Sequence, residues 1–408
     1  MTIALADDFR RDARVIGVIG FAHMTSHFFQ LVVPPLFPAI KDSFDVSYVA
    51  LGALMTVYYA VSGLSQTVAG FAVDRFGARP VLAGGLALIG VSVVLIGLAP
   101  SYSAMVPAMV LAGVGNSVFH PADFAIMNAS VSKPRIGRAY SVHGIAGSLG
   151  WVAAPAVVVG LSGISNWQTA LMVVGFGAVA IAAFVWVEAG RFADHRLERA
   201  VQPLAAEGRA PHALAVLTSI PVLMCFAYFT LLSFSFIGTQ TFAVTAFVQI
   251  FEAPLALATG ALTAYFVGSA VGVFFGGFLA DRTERHDVVA ATGLLLSSLI
   301  FVPLALGWPS AGALPAVMAL AGFCGGATGP SRDMLVRGAT PAGSAGKVYG
   351  FVYSGLDVGS AIAPPMYGAF IDAGRPDLVF WTISFWLAVT IVSVVQVRRS
   401  TPRPLGAS

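Results

Sequence analysis

Two short stretches of this sequence carry polar side chains in otherwise apolar surroundings. Each has three such residues, separated first by four positions and then by three: Asn116, His120 and Asp123 within GVGNSVFHPADFAIMN (113–128), and His23, His27 and Gln30. Side chains at i, i+4 and i+7 share one face of a helix, so each stretch predicts a helix with one polar stripe. Histidine changes charge near neutral pH, so such a stripe can relay protons as well as bind a polar ligand.

Metal binding is an alternative for the histidine pair. His23 and His27 have the i, i+4 spacing of zinc ligands on a helix. No acidic or cysteine partner lies close to them in sequence, so we expect no metal site and no cofactor. Cys225 and Cys324 lie in separate apolar segments and support neither a disulfide framework nor a metal-ligand spacing.

The composition indicates what surrounds these stripes. Of the 408 residues, 57% are hydrophobic and 10% are charged, whereas soluble domains usually carry about a quarter charged residues. Apolar runs recur along the whole chain, each about 20 residues long, which is enough to cross the hydrocarbon layer as a helix. The sequence therefore predicts an all-α membrane protein. The net charge of +3 comes from loops that flank the apolar runs and does not indicate nucleic-acid binding.

Charged or Pro- and Gly-rich breaks separate twelve apolar runs. Their approximate bounds are 15–40, 48–72, 80–99, 103–129, 138–162, 167–188, 213–248, 255–280, 287–307, 311–338, 346–371 and 377–397. Arginine and lysine precede the first run and follow the even-numbered ones. Only Lys41 and Arg375 lie on the opposite side, and Arg332 lies within a run. The positive-inside rule then puts both termini in the cytoplasm, in agreement with an even number of spans.

The longest polar segment divides the runs into two groups of six. Residues 189–212 carry charges of both signs and two prolines, as loops do. The predicted organisation is an N-terminal six-helix bundle (1–188), a cytoplasmic linker (189–212) and a C-terminal six-helix bundle (213–408).

The two halves repeat each other in sequence. Asp74–Arg75 after the second run recurs as Asp281–Arg282 after the eighth, a difference of 207 positions. Five further pairs recur at a constant offset of 209: Pro121 and Pro330, Gly137 and Gly346, Tyr140 and Tyr349, Gly150 and Gly359, and Pro155 and Pro364. This run of matches predicts duplicated, pseudo-symmetric bundles. Parallel repeats with a central site are a known plan of membrane transporters.

The loop after the second run carries a signature. It reads G-x-x-x-D-R-x-G-x-R, and its residues are Gly70, Asp74, Arg75, Gly77 and Arg79. With this loop the chain resembles the major facilitator superfamily over essentially its whole length. The loop departs from the family pattern at Ala78, where a basic residue is frequent, and its second copy at Asp281 and Arg282 is less complete. The resemblance implies transport by alternating access, gating by both loops, and a central cavity lined by spans 1, 4, 7 and 10.

Two further segments resemble one type of exporter within this superfamily. They are GVGNSVFHPADF (113–124) and HGIAGSLGWVAAP (143–155), and the type is the fosmidomycin-resistance exporter. This resemblance implies an integral protein of a bacterial inner membrane, with a small molecule and protons as its partners.

Polar residues within the spans are the candidates for substrate contact. An ionisable group in a span costs several kcal/mol unless it is paired or hydrated, so it should face a cavity. The candidates are His23, His27, Gln30, Gln66, Asn116, His120, His143, Gln240, Arg332 and Tyr353. The candidates for proton coupling are Asp357, His120 and Asp123. Asp357 ranks first because it lies near the middle of its span.

Asp123 and His120 also have structural alternatives. Asp123 lies toward the cytoplasmic end of its span, where pairing with Arg75 or Arg79 would make it a gate residue. His120 precedes Pro121, which removes a helix hydrogen bond, so its side chain could satisfy a group freed at the kink.

Arg332 and Asp357 have alternatives of the same kind. Arg332 could bind an anionic substrate, or it could pair with Asp333 or Asp281 as part of a gate. Asp357 could pair with Arg332 instead of carrying a proton.

Three functions fit these observations. The first is proton-coupled efflux of a small polar or anionic compound or drug by a monomeric transporter in the lipid bilayer. The second is proton-coupled import of a small metabolite such as a monocarboxylate, because alternating access is reversible. The third is a membrane sensor or a membrane enzyme. The sequence carries no nucleotide loop, catalytic triad or large soluble domain, so we expect no enzyme.

Overall fold

The fold consists of helices throughout the part of the chain that the structure describes. The structure is a computed structural model, and it describes residues 2–132, 135–190, 192, 216–341 and 345–400. No β-strand occurs among these residues. Lipid offers backbone groups no hydrogen-bond partner, and a helix satisfies them within its own segment. Most of the predicted linker 189–212 lies outside the described residues.

Contacts divide the chain into two units. Unit 1 comprises Met1–Val46 and Ala53–Ala205, and unit 2 comprises Ser47–Gly52 and Ala206–Ser408. The helices of the N-terminal half are α1 (Thr2–Gln30), α2 (Phe37–Phe44), α3 (Tyr48–Phe76), α4 (Ala78–Gly97), α5 (Tyr102–Asn116), α6 (Phe119–Ser130), α7 (Ile136–Ile164) and α8 (Trp167–Ala189).

The described helices of the C-terminal half lie entirely in unit 2. They are α9 (Ile220–Phe251), α10 (Leu255–Asp281), α11 (His286–Ala305), α12 (Leu314–Gly326), α13 (Gly329–Ala339), α14 (Ala345–Asp372) and α15 (Asp377–Ser400). Short 3-10 turns at Pro34–Leu36 and Ala311–Ala313 precede α2 and α12.

The helices account for the twelve predicted spans. Eleven segments of the described chain are long and apolar enough to cross a membrane. The twelfth predicted span, 346–371, is α14, which is 28 residues long but contains Asp357 and two prolines. The chain is an all-α membrane protein whose twelve spans form two six-helix bundles.

One span in each half is broken into two helices, at the kink considered for Pro121 and at the matching place before Pro330. The predicted span 103–129 consists of α5 and α6, which meet at Ser117 and Val118, and 311–338 contains α12 and α13. A proline follows each break, at Pro121 and Pro330. A proline ring collides with the carbonyl four residues before it and supplies no N–H, so the helix distorts one turn earlier. The repeated prolines thus explain a repeated break.

The first turn of α3 is held by a carboxylate of α14. Asp372 accepts hydrogen bonds from the backbone N–H groups of Tyr48 and Val49, both at 2.8 Å. All three residues belong to unit 2. The first N–H groups of a helix have no partner within it, and its dipole favours a negative charge there. Asp372 therefore supplies the hydrogen-bond acceptors and the negative charge that the start of α3 lacks.

Helices α10 and α12 approach closely enough to exclude side chains at their contact. A Cβ at Gly272 would collide with the carbonyl of Phe323 and lie 2.9 Å from the backbone nitrogen of Ala327. A Cβ at Gly268 would collide with the carbonyl of Ala319. Small residues at four-residue spacing let membrane helices pack backbone to backbone.

Substitution of Gly272 tests this contact. Gly272→Ala should destabilise unit 2, because overpacking costs about 1–3 kcal/mol. The matched control is Gly277→Ala on the same helix, where a Cβ would have no neighbour within 4 Å. The thermal midpoint of the purified protein should fall for Gly272→Ala and stay unchanged for Gly277→Ala. Equal midpoints would contradict this account of the packing.

Candidate functional site

The centre of the polar site in unit 1 is the carboxylate of Asp123 on α6. It has no exposed surface, and only 5% of His143 on α7 and 3% of His23 on α1 are exposed. A carboxylate only accepts hydrogen bonds, so Nε2 of His143 donates to Oδ2 of Asp123 at 3.0 Å. Nδ1 of His23 lies 3.4 Å from the same oxygen without a well-aligned hydrogen bond. Three helices thus bring ionisable groups to one oxygen atom.

Two more predicted residues lie next to this centre. The ring centre of His120 is 5.4 Å from that of His23, and His120 is exposed. The ring centre of His27 is 4.3 Å from that of His23, and the His27 ring stacks on Trp151. We call the five residues the histidine cluster: His23, His27, His120, Asp123 and His143.

The other polar residues of the two predicted stripes form hydrogen bonds to side chains of unit 1. Oδ1 of Asn116 accepts a hydrogen bond from Ser26 at 2.9 Å, and its Nδ2 donates to Ser62 at 2.8 Å. Oε1 of Gln30 accepts a hydrogen bond from Nε1 of Trp151 at 3.0 Å. Asn116 and Gln30 therefore connect neighbouring helices.

A close approach of α1 and α7 positions the cluster. A Cβ at Gly147 would lie 2.7 Å from Nδ1 of His27 and 3.0 Å from Cδ2 of His23. A Cβ at Gly150, one turn further along α7, would lie 2.8 Å from the backbone nitrogen of Phe28. Gly147 leaves room for the imidazole rings against α7, and Gly150 lets the backbones of α1 and α7 approach each other.

Unit 2 holds a second charged group, around Arg332 on α13. Its Nε donates to Oδ1 of Asp333 at 2.9 Å, and its guanidinium lies 4.7 Å from the ring centre of Phe229. The hydroxyl of Tyr353 donates to the same oxygen of Asp333 at 3.3 Å. We considered Asp333 and Asp281 as partners of Arg332, and the structure pairs Arg332 with Asp333.

Asp357, our first candidate for proton coupling, stands apart from this group. It is half-buried on α14 and has no hydrogen-bond or ion-pair partner among the described residues. The alternative pairing of Asp357 with Arg332 is thus absent. Gln240 on α9 is 2% exposed, and both polar atoms of its side chain lack a hydrogen bond within the described chain. Gln66 is half-buried on α3.

The signature loop forms a sharp turn between α3 and α4. Gly77 stands directly before α4 and has a φ of 96°. Residues other than glycine rarely adopt this backbone conformation. Nε of Arg79 donates to the carbonyl of Trp186 at 2.8 Å, and its guanidinium lies 4.2 Å from the Trp186 ring centre. Arg75 is exposed, and Gly70 is half-buried.

The expected pairing of Asp123 with Arg75 or Arg79 is not found. Asp123 faces His143 and His23, because α1 and α7 cover it inside unit 1, while Arg79 turns toward α8. The side chain of Asp74 lies outside the described residues. In the second copy of the loop, Asp281 and Arg282 are exposed at the end of α10.

A buried carboxylate that the sequence did not single out is Asp12 on α1. It has no exposed surface and accepts hydrogen bonds from Ser132 Oγ at 2.5 Å and from Arg135 Nη1 at 2.8 Å. The first predicted span begins at residue 15. Helix α1 already begins at Thr2, and Asp12 ties it to the chain after α6.

These features define the class of protein. Two helical membrane bundles, each with a charged or titratable group inside its spans, are the architecture of a membrane transporter rather than an enzyme. The family model described as Major Facilitator Superfamily matches residues 19–262 and 239–407. The chain belongs to the major facilitator superfamily of transporters.

Two relatives are similar to this chain in sequence, and a solved structure shares its fold. The fosmidomycin resistance protein of Escherichia coli (strain K12) is 26% identical over 303 residues, 72% of each chain. The uncharacterized MFS-type transporter YfnC of Bacillus subtilis (strain 168) is 26% identical over 389 residues, 91% of this chain and 90% of that one. A bacterial homolog of the human lysosomal transporter Spinster, in an inward-facing and occupied conformation, superposes with a TM-score of 0.75. It is 14% identical, over 96% of this chain and 95% of its own.

Gly147 allows a test of how the cluster is held. Gly147→Ala should displace His23 and His27 and lower the thermal midpoint, because the new Cβ costs about 1–3 kcal/mol of overpacking. Gly144→Ala, one turn earlier on α7, is the matched control, since a Cβ there has no neighbour within 4 Å. A Gly147→Ala protein as stable as Gly144→Ala would show that the rings do not depend on this glycine.

Proposed function

We propose that this transporter exports a small polar or anionic compound, including drugs, in exchange for protons. The proposal places it as a monomer in a bacterial inner membrane with both termini in the cytoplasm. The fosmidomycin resistance protein, with the similarity given above, and a multidrug resistance protein B homolog of Mycobacterium tuberculosis are relatives whose names refer to drug resistance, which supports export. The second matches over a part only, at 28% identity over 42% of this chain and 33% of its own.

The main support for proton coupling is the isolated carboxylate of Asp357. An ionised carboxylate inside a span is costly without a partner. Among the described residues Asp357 has none, whereas Asp123 lies against two histidines. A group that nothing holds in one charge state can gain and lose a proton as its surroundings change. We therefore assign the coupling proton to Asp357, and His120 and Asp123 stay predictions for the same role.

The guanidinium of Arg332 supports an anionic substrate. Asp333 occupies its Nε, and Phe229 covers one face of its plane. A guanidinium has five N–H donors, so further donors remain for a carboxylate or phosphate group. Tyr353 donates to the same oxygen of Asp333 as Arg332 does, and it is 37% exposed. We assign Arg332 and Tyr353 of unit 2 to substrate binding, and His23, His27, His120 and His143 of unit 1 stay predictions for substrate contact.

Asp357→Asn tests the proton coupling. In everted membrane vesicles, addition of fosmidomycin should release protons from the lumen, as reported by a pH-sensitive dye, and an uncoupler should abolish the signal. Asp357→Asn keeps the size of the side chain but cannot ionise, so its signal should be lost. The matched control Asp42→Asn removes an exposed carboxylate at the end of α2 and should leave the signal intact. A full proton signal from Asp357→Asn would refute the assignment.

Arg332→Gln tests the anionic substrate. A bacterium without its own exporters should survive higher concentrations of anionic antibiotics when it expresses this protein. Arg332→Gln should remove most of that protection, because a hydrogen bond to a charged group is worth about 1.5–3 kcal/mol. Protection against neutral compounds should change less, and Arg337→Gln, at an exposed position on α13, is the control. Greater sensitivity on expression of the wild type would instead indicate import.

A further inference from the structure

We propose that His23, Asp123 and His143 of the histidine cluster bind one divalent transition-metal ion. From the sequence we expected no metal site, because no acidic residue lies near His23 and His27 along the chain. In the folded protein an acidic residue does lie next to His23. It brings Asp123 from α6 and His143 from α7 to His23, so that three potential ligand atoms lie within 4.8 Å of one another.

The distances match the edges of a coordination polyhedron. Zinc binds imidazole nitrogen and carboxylate oxygen at about 2.0–2.2 Å, so two ligand atoms of a tetrahedral ion lie about 3.3 Å apart. Nε2 of His143 is 3.0 Å, and Nδ1 of His23 is 3.4 Å, from Oδ2 of Asp123. Two of the three edges therefore have the required length. The edge between the two nitrogens lies within the limit of 4.8 Å. The rings of His23 and His143 stack with their centres 3.6 Å apart and their planes 21° apart, so one ring must rotate before both nitrogens point at one ion. The ion also displaces the proton that Nε2 of His143 donates to Asp123.

Unsatisfied polar atoms at the same place are an independent observation. Nδ1 of His23 and Oδ1 of Asp123 are both buried, and neither has a hydrogen-bond partner in the described part of the chain. A buried polar atom without a partner costs about 1–3 kcal/mol, and more when it is charged. A divalent cation between these groups would coordinate the nitrogen and neutralise the carboxylate.

The ligand set selects the kind of ion. Two imidazoles and one carboxylate suit Zn²⁺, Co²⁺, Ni²⁺ or Cu²⁺, whereas Mg²⁺ and Ca²⁺ prefer sites made of oxygen atoms. Three protein ligands leave a tetrahedral ion one position for water or for an oxygen of an anionic compound. His120 is exposed, and its ring centre lies 5.4 Å from that of His23.

Direct binding to the purified full-length protein tests the proposal. The protein carries an affinity tag without histidine, is stripped with a chelator, and is titrated with Zn²⁺ by calorimetry. We expect one ion per chain. With Cu²⁺ in place of Zn²⁺, the electron paramagnetic resonance spectrum should show coupling to two imidazole nitrogens. A wild-type protein that binds no ion, or a Cu²⁺ spectrum without nitrogen coupling, would overturn the proposal.

Two conservative variants locate the site. Asp123→Asn and His23→Gln keep the approximate size of each side chain, and each should weaken Zn²⁺ binding at least about 100-fold, more than loss of an outer-shell partner does. His23→Gln breaks no hydrogen bond of Nδ1, so it stays informative if Asp123→Asn does not fold. The control His286→Gln removes a half-buried histidine at the start of α11 in unit 2 and should bind Zn²⁺ as the wild type does. Unchanged affinity in His23→Gln, or a loss in His286→Gln, would contradict the assignment.

Discussion

The interior of unit 1 depends on how an ionisable carboxylate is kept inside the membrane. Asp123 has no exposed surface, and its Oδ2 faces a nitrogen of His143 and a nitrogen of His23. An unpaired charge at this depth would cost several kcal/mol, so α1, α6 and α7 must stay in register with one another. The glycines of α7 allow the required approach, because Gly147 and Gly150 have no side chain to separate α7 from α1.

The two units share a backbone design but differ in chemistry. In each, a proline follows a break in one span, between α5 and α6 and between α12 and α13. The residues after the break have diverged. Unit 1 has Asp123 among histidines, whereas Arg332 in unit 2 is paired with Asp333 and covered by Phe229. The proline and the broken span thus occur in both halves, whereas the ionisable groups near the break differ between them.

The fold was largely predictable from the sequence. Long apolar runs predict membrane helices, because the hydrocarbon layer excludes unsatisfied backbone groups and sets the length of a span. The kink at Pro121 was considered from the sequence, whereas the matching break before Pro330 was missed. The extension of α1 through Asp12 was also missed. Its carboxylate is satisfied by Ser132 and Arg135, which are distant in sequence.

Of the polar site, the sequence by itself determined the helical faces. The spacing of His23 and His27, and of His120 and Asp123, follows from the period of the helix alone. Only the tertiary structure decided which faces meet. It placed Asp123 beside His143 and His23 rather than beside Arg79, and it left Asp357 without Arg332. The physical reason is that helical period fixes positions within one helix, whereas contact between helices depends on packing at glycines far away in the chain.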